Sequence, residues 1–478
     1  MLDERKKMSL SILFAFSLLS VFWMMSAQNS FCFDDISLLL KVSTSSYDEI
    51  FSFWPHTAYA DRPVGVMFIK FLYEVFGLDY GCFHAVFVVL HLCNTFLTFV
   101  VAKRIFQRKY DGGGESFYGA IISAAFFGIW AKTHMAVQWI AAIYDLLGTF
   151  WSLLSILFYL RYRRIKNYQV QNLAFTVLFY YLAIRTKEMF LILPLLFIIY
   201  EIWEMALDQK IKRFTLSILV NLAVFLLYFG KILYCKIQGS ITNDVDNPYY
   251  QSFNPVKLAQ NLLKYCMMCF DLENAGWNYT FSISGLVAAL LLCAGVVISF
   301  WKAAVHKQVE LLLCYIAAGI SIVIVLPMVN QIHALYLYFP SAFMGLLMAC
   351  VINGLRLPDF VPVIMMCLFL ASNMSGSAEG TRSNWIENAK VEKAAWNDLE
   401  NIKPPISGST IYIRNMDDIS YTPFFYGEGD VCKLIYQDTS LRVELLEKDE
   451  SIEFSKPYVL CSYQDKRLTE IERNENRE

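Results

Sequence analysis

Two neighbouring carboxylates, Asp34 and Asp35, follow the first apolar stretch of the chain. A carboxylate beside a membrane surface, among apolar neighbours such as Phe33 and Ile36, has a raised proton affinity. Such a group can deprotonate an acceptor hydroxyl as a general base, or bind a divalent cation. The alternative is that Asp34 or Asp35 caps a helix over Ile36–Val42, which is a common role of Asp. The sequence leaves both interpretations open, and with them the question of a metal ion.

Four charged residues further along the chain are suited to a phosphate. Arg62 precedes a proline and carries the planar fork of donors that binds phosphate well. Arg185, Lys187 and Glu188 lie in a short connection between two apolar runs, where the positive-inside rule disfavours cations. We predict that Arg185 and Lys187 neutralise a lipid-linked phosphate and that Glu188 orients one of them. The alternatives are a turn before a proline-started helix for Arg62 and a solvated connection for the other three.

Several histidines and polar residues are weaker candidates. His84 and His91 are seven residues apart, which places them on one face of a helix. Ionisable groups inside a membrane are costly and usually functional, although neutral His also bonds a neighbouring helix. The remaining candidates lie near predicted outer loops, where aromatic residues also form the interfacial belt; they are His134, Gln138, His333 and Tyr338.

The composition indicates the elements that must position these residues. Of 478 residues, 57% are hydrophobic and 17% are charged, whereas soluble domains have about 45–50% and about 25%. The net charge of −2 disfavours binding to nucleic acid, which needs a basic face. Because a membrane-spanning helix needs about 20 apolar residues, we predict about eleven spans. They are Met8–Ala27, Tyr80–Ala102, Phe117–Trp130, Val137–Leu160, Asn172–Ile184, Met189–Met205, Phe214–Tyr234, Phe281–Trp301, Val309–Val329, Leu335–Ile352 and Phe360–Ser372.

Basic residues mark every second connection between these apolar segments, and cytoplasmic loops carry such residues. The pattern begins with Arg5, Lys6 and Lys7 before the first segment. It predicts a multi-pass protein of the cell membrane with a cytoplasmic N-terminus and an extracytoplasmic C-terminus. We interpret the first segment as an anchor and not as a cleaved signal peptide. The longest outer loops are then residues 28–79 and 235–279.

Residues 374–478 differ in character from the apolar part, residues 1–373, because they are charged and begin with Ser, Gly and Pro. The predicted fold is therefore an all-α polytopic membrane protein with a small α+β C-terminal extracytoplasmic domain. That domain has a helix over Asn384–Glu400 and three strands, over Thr410–Arg414, Leu434–Gln437 and Leu441–Leu445. Whether Cys432 and Cys461 pair depends on an oxidising compartment.

The order of these motifs resembles the membrane glycosyltransferases of the GT-C fold. The protein O-mannosyltransferase branch, and its multi-span relatives that carry tetratricopeptide repeats, are the most similar, although this chain lacks the repeats. The resemblance extends over residues 33–344 and rests on these segments in order: Asp34-Asp35, Asp61-Arg62-Pro63-Val64, Phe76-Gly77, Phe83-His84, His91-Leu92-Cys93-Asn94, His134–Ile140, Thr186-Lys187-Glu188 and Leu335–Ser341.

The resemblance implies a glycosyltransferase that moves a sugar from a polyprenyl-phosphate donor to a glycan, lipid or protein acceptor by an inverting displacement. It implies Asp35 as the base, with Asp34 beside it. The implied ligands of the donor phosphate are Arg185, Lys187, Arg62 and His333. The implied supporting residues are Glu188, His84, His91, His134, Gln138 and Tyr338. No cofactor is implied with certainty; a divalent metal at Asp34 and Asp35 stays open.

Two departures from the family pattern limit the resemblance to the donor class. The family often has Arg where this chain has His333, and a Gly-Arg pair where this chain has Ala142-Ile143. Two other functions stay open, a transporter or flippase of lipid-linked sugars and a non-catalytic membrane subunit. A transporter is expected to have paired halves with helices broken at matching positions, and the sequence has no such halves.

Overall fold

A computed structural model describes most of the chain. The described residues are 30–56, 61–109, 114–130, 134–164, 168–208, 216–238, 245, 250–269, 309–355, 377–415, 424, 429–446 and 457–476, with isolated positions between 294 and 305. The predicted helices Met8–Ala27 and Phe360–Ser372 lie outside these residues, as do most of Phe281–Trp301 and the predicted domain boundary after residue 373.

Three helices form the first predicted outer loop. They are α1, Asp34–Thr44; α2, Tyr47–Ile50; and α3, Pro63–Phe76. The apolar stripe of α1 is buried against the rest of the protein, with Ile36, Leu39 and Val42 at most 1% exposed. Proline at the first position of α3 begins that helix without a lost hydrogen bond. This loop is therefore a packed part of the fold.

Among the described residues, ten further helices follow before the tail. In chain order they are α4, Tyr80–Lys109; α5, Gly114–Ile129; α6, His134–Gln138; α7, Ile143–Arg164; α8, Gln169–Thr186; α9, Leu193–Asp208; α10, Leu216–Ile237; α11, Pro255–Cys269; α12, Val309–Val323; and α13, Pro340–Leu355. Short 3₁₀ turns lead into α7, α9 and α13, at Ile140–Ala142, Glu188–Ile192 and Ala334–Leu337. Helix α7 packs along α8 and α4, and α5 packs along α4 and α13.

Three of the described helices are long and apolar enough to cross a membrane, namely Tyr80–Arg108, Ile140–Arg164 and Leu216–Ile237. Shorter apolar helices cover Ser116–Ile129, Leu312–Val323 and Pro340–Ile352. Many of the apolar side chains face outward, as a lipid environment requires; Leu227 in α10 is 63% exposed and Phe96 in α4 is also 63% exposed. The protein thus has the apolar helices of a membrane protein, and the number of about eleven spans stays a prediction.

Helix α11 lies within the long loop predicted over residues 235–279, where the sequence analysis assigned no helix. The backbone just before the helix is attached to the segment that follows α12. Residues 250–252 and 327–329 are joined by an antiparallel bridge between Gln251 and Met328. Ser252 N–H donates to Pro327 O at 2.8 Å, and Val329 N–H donates to Tyr250 O at 3.3 Å.

The tail has helix α14, Ser377–Asn401, helix α15, Asp430–Tyr436, and a four-stranded sheet. The strands are β1, Thr410–Arg414; β2, Arg442–Leu445; β3, Tyr458–Gln464; and β4, Arg467–Asn474. Their spatial order is β2-β1-β3-β4, with β1 parallel to both of its neighbours and β3 antiparallel to β4. The predicted helix and the first predicted strand are confirmed, as is the third within one residue. The strand predicted over Leu434–Gln437 is wrong, since most of this segment belongs to α15.

The tail packs against the first outer loop. Helix α15 contacts α1, and the rings of Phe31 and Trp396 lie 6.4 Å apart between centroids. Cys432 and Cys461 are buried free thiols, so the pairing left open by the sequence does not occur in this structure. The helix that carries the two acidic candidates is thus held between the bundle and the tail.

Candidate functional site

A cavity of about 410 Å³ opens where α1, α3 and the three 3₁₀ turns meet. Bundle and loop residues form its wall, and most of its charged lining residues belong to the predicted outer loops. Its lining residues are Asp34, Leu38, Arg62, Met135, Trp139, Ala141, Tyr144, Asp145, Lys187, Glu188, Met189, Gln251, Ile324, Val325, Met328, Gln331, His333, Leu335 and Tyr336. Five of the predicted site residues belong to this set: Asp34, Arg62, Lys187, Glu188 and His333.

The two neighbouring acids have different surroundings. Asp34 is exposed and lines the cavity, whereas Asp35 is 0% exposed and lies behind the wall. The Oδ2 atom of Asp35 accepts the Cys32 N–H at 3.1 Å, and its Oδ1 atom accepts the Ala141 N–H at 2.7 Å. Asp35 therefore fastens the start of α1 to the turn before α7. The structure assigns the position facing the cavity to Asp34 and not to Asp35.

Burial changes the protonation of both acids. It raises the pKa of Asp35 to about 8, although backbone N–H groups that bond the carboxylate oppose the rise. The nearby charge of Asp34 adds to the rise. Asp34 is exposed at the cavity, but the surrounding protein still removes part of its water, and this desolvation raises the pKa of Asp34 from its ordinary value. A raised pKa brings a carboxylate closer to the value that suits a general base at neutral pH.

Lys187 forms the first of two ion pairs in the cavity wall. Its Nζ atom lies 2.7 and 2.6 Å from the two carboxylate oxygens of Asp145. The ring of Tyr336 lies over the ammonium group, 4.8 Å from ring centroid to nitrogen. Lys187 is 7% exposed and Asp145 is 2% exposed. A desolvated pair of this kind fixes the position of the cation, since removing either partner leaves a buried charge.

Arg62 forms the second ion pair, with Glu188. Its Nε and Nη2 atoms donate to the Glu188 carboxylate, with a shortest distance of 2.9 Å. The guanidinium carbon lies 5.2 Å from the centroid of the Tyr144 ring, a cation–π arrangement. Gly65 allows this approach, because a Cβ there would lie 2.5 Å from a ring carbon of Tyr144. The two cations thus enter the cavity wall with one carboxylate and one aromatic ring each.

His333 lines the same cavity at the start of the last 3₁₀ turn. Its Nδ1 atom accepts the Leu335 N–H at 3.2 Å, so the ring proton is assigned to Nε2. Burial and the nearby charge of Lys187 lower the pKa of His333. A neutral His333 can offer an anion one N–H donor but no charge.

Arg185, predicted as a phosphate ligand, lies outside the cavity wall and is 1% exposed. Its Nη2 atom donates to Ser52 O at 2.6 Å, to the Ser52 hydroxyl at 2.5 Å and to Asp61 Oδ1 at 3.1 Å. Its Nη1 atom donates to the Tyr228 hydroxyl at 3.2 Å. Both Nη groups of Arg185 thus bond protein groups, and one of these bonds holds Asp61, the residue before Arg62, in place.

The other supporting candidates lie in the interior of the bundle, away from the cavity. His91 contacts the Tyr338 hydroxyl through Nδ1 at 2.8 Å and Gly128 O through Nε2 at 3.1 Å. His84 stacks on the Tyr80 ring, 5.7 Å between centroids. Further residues of this interior set also bond within the bundle; they are Asn94, His134 and Gln138. The bonds of His91 and Asn94 connect different helices, as neutral polar groups do within a membrane. The contacts of His84 with Tyr80 and of His134 with Gln138 lie within one helix each.

Sequence reasoning missed Asp145, Tyr144 and the ring of Tyr336 as parts of the cavity. Asp145 had a signal: it is an acid inside the apolar run predicted over Val137–Leu160, and such residues are usually functional. No sequence signal marked Gln251 and Gln331, because amide side chains are common in loops and only the fold brings these two to one cavity.

Of the two acids for which a metal ion stays open, only Asp34 lines the cavity. Within the described ranges, no group of three or more His, Cys, Asp or Glu side chains is arranged to hold a metal. Glu188 and Asp145, the other carboxylates of the cavity, each bond a cation.

Neither a family model nor a curated protein matches the sequence. Solved structures similar to this fold are ArnT from Cupriavidus metallidurans, in the apo state and bound to undecaprenyl phosphate, and the apo oligosaccharyltransferase of Archaeoglobus fulgidus. The apo ArnT likeness has 12% identity and a TM-score of 0.49, covering 92% of this chain and 86% of ArnT. The lipid-bound form has 13% identity, a TM-score of 0.47 and the same coverage.

The oligosaccharyltransferase likeness has 11% identity and a TM-score of 0.49. It covers 92% of this chain, which spans 64% of the length of the archaeal enzyme. Both neighbours are membrane glycosyltransferases of the GT-C fold, the class that the sequence resembles. With identities of 11–13% and TM-scores below 0.5, these likenesses define no activity for the present chain.

Proposed function

We propose that the chain is a glycosyltransferase that moves a sugar from a polyprenyl-phosphate donor to an acceptor at the outer membrane face. The observation that carries the proposal is one cavity with a carboxylate, Asp34, and two fixed cations, Arg62 and Lys187, beside helices apolar enough to cross a membrane. A polyprenyl-phosphate donor needs an apolar environment for its tail and cations for its phosphate.

The proposed roles follow from position. Arg62 and Lys187 bind the donor phosphate, and neutral His333 donates a further N–H. Asp34 takes the proton of the acceptor hydroxyl. Asp35 and Arg185 are positioning residues that do not line the cavity. Asp35 accepts the N–H of Ala141 in the cavity wall, and Arg185 donates to the carboxylate of Asp61, the residue before Arg62. This assignment replaces Asp35 by Asp34 as the leading base.

The reaction is a single displacement at the anomeric carbon. The acceptor oxygen forms a bond to that carbon while the bond from the carbon to the phosphate oxygen breaks. The electron pair leaves with the phosphate, whose negative charge the two cations stabilise. The acceptor proton passes to Asp34. The configuration at the anomeric carbon inverts, and the products are a glycosylated acceptor and a polyprenyl phosphate.

The test uses purified protein in nanodiscs with undecaprenyl-phosphate sugars, and it measures release of undecaprenyl phosphate. Asp34→Asn removes the base, so we expect a loss of turnover of about 100-fold or more. Asp48→Asn is the matched control, since Asp48 is an exposed acid of the same loop. Equal turnover by Asp34→Asn and the wild type would exclude Asp34 as the base.

The same assay separates the proposal from its alternatives. A transporter or flippase moves the lipid-linked sugar across the bilayer without cleaving it, so it releases no polyprenyl phosphate. A non-catalytic subunit also releases none. Failure of the wild-type protein with a panel of sugars and acceptors would therefore count against transfer itself.

A further inference from the structure

The two faces of helix α11, Pro255–Cys269, differ in burial. One face is buried: Asn261 is 3% exposed and Tyr265 is 0% exposed. The Asn261 Nδ2 atom donates to Leu326 O at 2.8 Å, which fastens the helix to the segment that contributes Val325 and Met328 to the cavity. The opposite face is apolar and open. Val256 is 65% exposed, Leu263 is 62% exposed and Phe253, just before the helix, is 70% exposed.

Val256 and Leu263 are seven residues apart, so they lie on one side of the helix. Two exposed lysines, Lys257 and Lys264, follow them at the same spacing. The sequence of α11, PVKLAQNLLKYCMMC, contains no acidic residue. An apolar stripe flanked by cations is the pattern of a helix that lies in a membrane surface and contacts anionic headgroups.

The position of α11 agrees with this pattern. Helix α10, one of the candidate spans, ends at Ile237. Lys236 in its last turn donates to the Gln251 side chain at 3.4 Å, so the chain just before α11 lies at the end of that span. A helix of 15 residues is roughly 22 Å long, which is too short for a hydrocarbon core of about 30 Å. It can therefore lie along the surface but cannot cross.

We propose that α11 is a membrane-surface helix whose partner is the outer leaflet. Phe253, Val256 and Leu263 enter the boundary between headgroups and acyl chains, and Lys257 and Lys264 contact lipid phosphates. Because its other face holds the segment from Leu326 to Met328, lipid contact at α11 also supports one wall of the cavity. This inference goes beyond the proposed reaction, and it holds for any membrane activity of the chain.

The test places a fluorescent non-natural amino acid at Leu263 in the full-length protein. The protein is reconstituted in vesicles of phosphatidylcholine and phosphatidylglycerol. The control has the same probe at Ile471 in β4, which is 53% exposed in the tail. We expect doxyl-labelled phosphatidylcholine to quench the probe at Leu263 and aqueous iodide to quench the probe at Ile471.

Two results would overturn the proposal. Quenching of the Leu263 probe by iodide, to the extent seen at Ile471, would place this face in water. Quenching by neither reagent would mean that another part of the protein covers it. The charges have their own test: Lys257→Glu with Lys264→Glu should reduce doxyl quenching in anionic vesicles and leave it unchanged in pure phosphatidylcholine. Equal quenching in anionic vesicles would exclude the headgroup contacts.

Discussion

Asp34 and Asp35 differ by one helical position, a rotation of about 100° about the axis of α1. Because of that rotation, the Asp34 side chain lines the cavity, whereas the Asp35 carboxylate accepts backbone N–H groups. The sequence contained this information in part. Asp35, Leu39 and Val42 are spaced four and three residues apart, so Asp35 continues the buried stripe of α1. The sequence left open whether one acid of the pair is a base or caps the helix. In the structure the N-cap position is Phe33, and Asp35 instead accepts the N–H groups of Cys32 and Ala141.

Arg185 and Arg62 were both predicted as phosphate ligands, but only Arg62 lines the cavity, for a related reason. Both were predicted from their chemistry, and chemistry alone does not tell which guanidinium already has partners. The partners of Arg185 come from residues 43 to 133 positions away in sequence. Contacts over such separations depend on the complete fold, which no local pattern reports.

The ion pair of Lys187 and Asp145 allows a prediction at this scale. Removing one partner, by Lys187→Met or Asp145→Leu, leaves the other charge buried, at a cost of about 3–5 kcal/mol. The double variant replaces both by apolar side chains, so we expect its stability to return close to the wild-type value. Its transfer activity should stay lost, because the cation is gone. Thermal unfolding in detergent and the nanodisc assay measure the two properties separately.

If the single variants unfold at the wild-type temperature, the remaining partner is not left as an uncompensated buried charge, which would contradict the burial of this pair. If the double variant keeps activity, Lys187 does not bind the donor. Lys390→Met is a suitable control, since Lys390 pairs with an acid on the exposed surface of α14 and such pairs contribute little.

At the scale of elements, apolar runs predicted where the helices lie but not how they begin. The 3₁₀ turns before α7, α9 and α13 have the same apolar character as the helices that they precede, so hydropathy does not separate them. Two of these turns contain the cavity residues Glu188 and Tyr336. The third turn directly precedes α7, which contains the cavity residue Asp145. The elements were thus largely predictable, whereas the turns that build the cavity were not.

The tail shows the same limit for strands. Strand β3 has six of its seven residues buried, because β1 and β4 flank it and both of its faces are covered. A strand of this kind lacks the alternation that marks half-buried strands. Strand β4 is mostly exposed and charged. The turn between them places Asp465 and Lys466 at positive φ, 51° and 61°, as two-residue hairpins require. Neither residue is the usual Gly or Asn, so the hairpin had no strong sequence signal.

The contact between the tail and α1 gives a pH prediction. Burial, with the charge of Asp35 adding to it, raises the pKa of Glu392 to about 8. The pKa of Asp35 is raised to about 8 as well. Both carboxyls are therefore protonated in the folded state at pH values where the unfolded chain has released those protons. Stability should be highest at acidic pH, fall as the pH rises from about 4 to about 8, and stay low above that.

The unfolding temperature measured in detergent across this range tests the prediction. Glu392→Gln removes one titrating group and should flatten the fall. Glu387→Gln, at an exposed position of the same helix, should leave it unchanged. A wild-type unfolding temperature that rises between about pH 5 and about pH 8 would contradict the burial of protonated carboxyls at this contact.

At the scale of the whole molecule, the charge pattern predicts that the tail and the cavity share the extracytoplasmic side. An alkaline phosphatase fusion after Glu478 should be active, because that enzyme folds only outside the cytoplasm. The same reporter inserted at residues 111–113, in a predicted cytoplasmic turn, should be inactive. The opposite pair of results would reverse the orientation and place the cavity on the cytoplasmic side.

The balanced charges of the cavity wall have a consequence for how a ligand arrives. Arg62 with Glu188 and Lys187 with Asp145 sum to zero, and Asp34 adds no positive charge, so the wall creates little long-range attraction for anions dissolved in water. Under the proposed function, free phosphate and soluble sugar phosphates gain almost nothing from electrostatic steering. A substrate held by its own tail in the bilayer needs no steering, since diffusion in two dimensions delivers it. The chain would then select its substrate by the route of delivery, and its apparent affinity should vary little with salt.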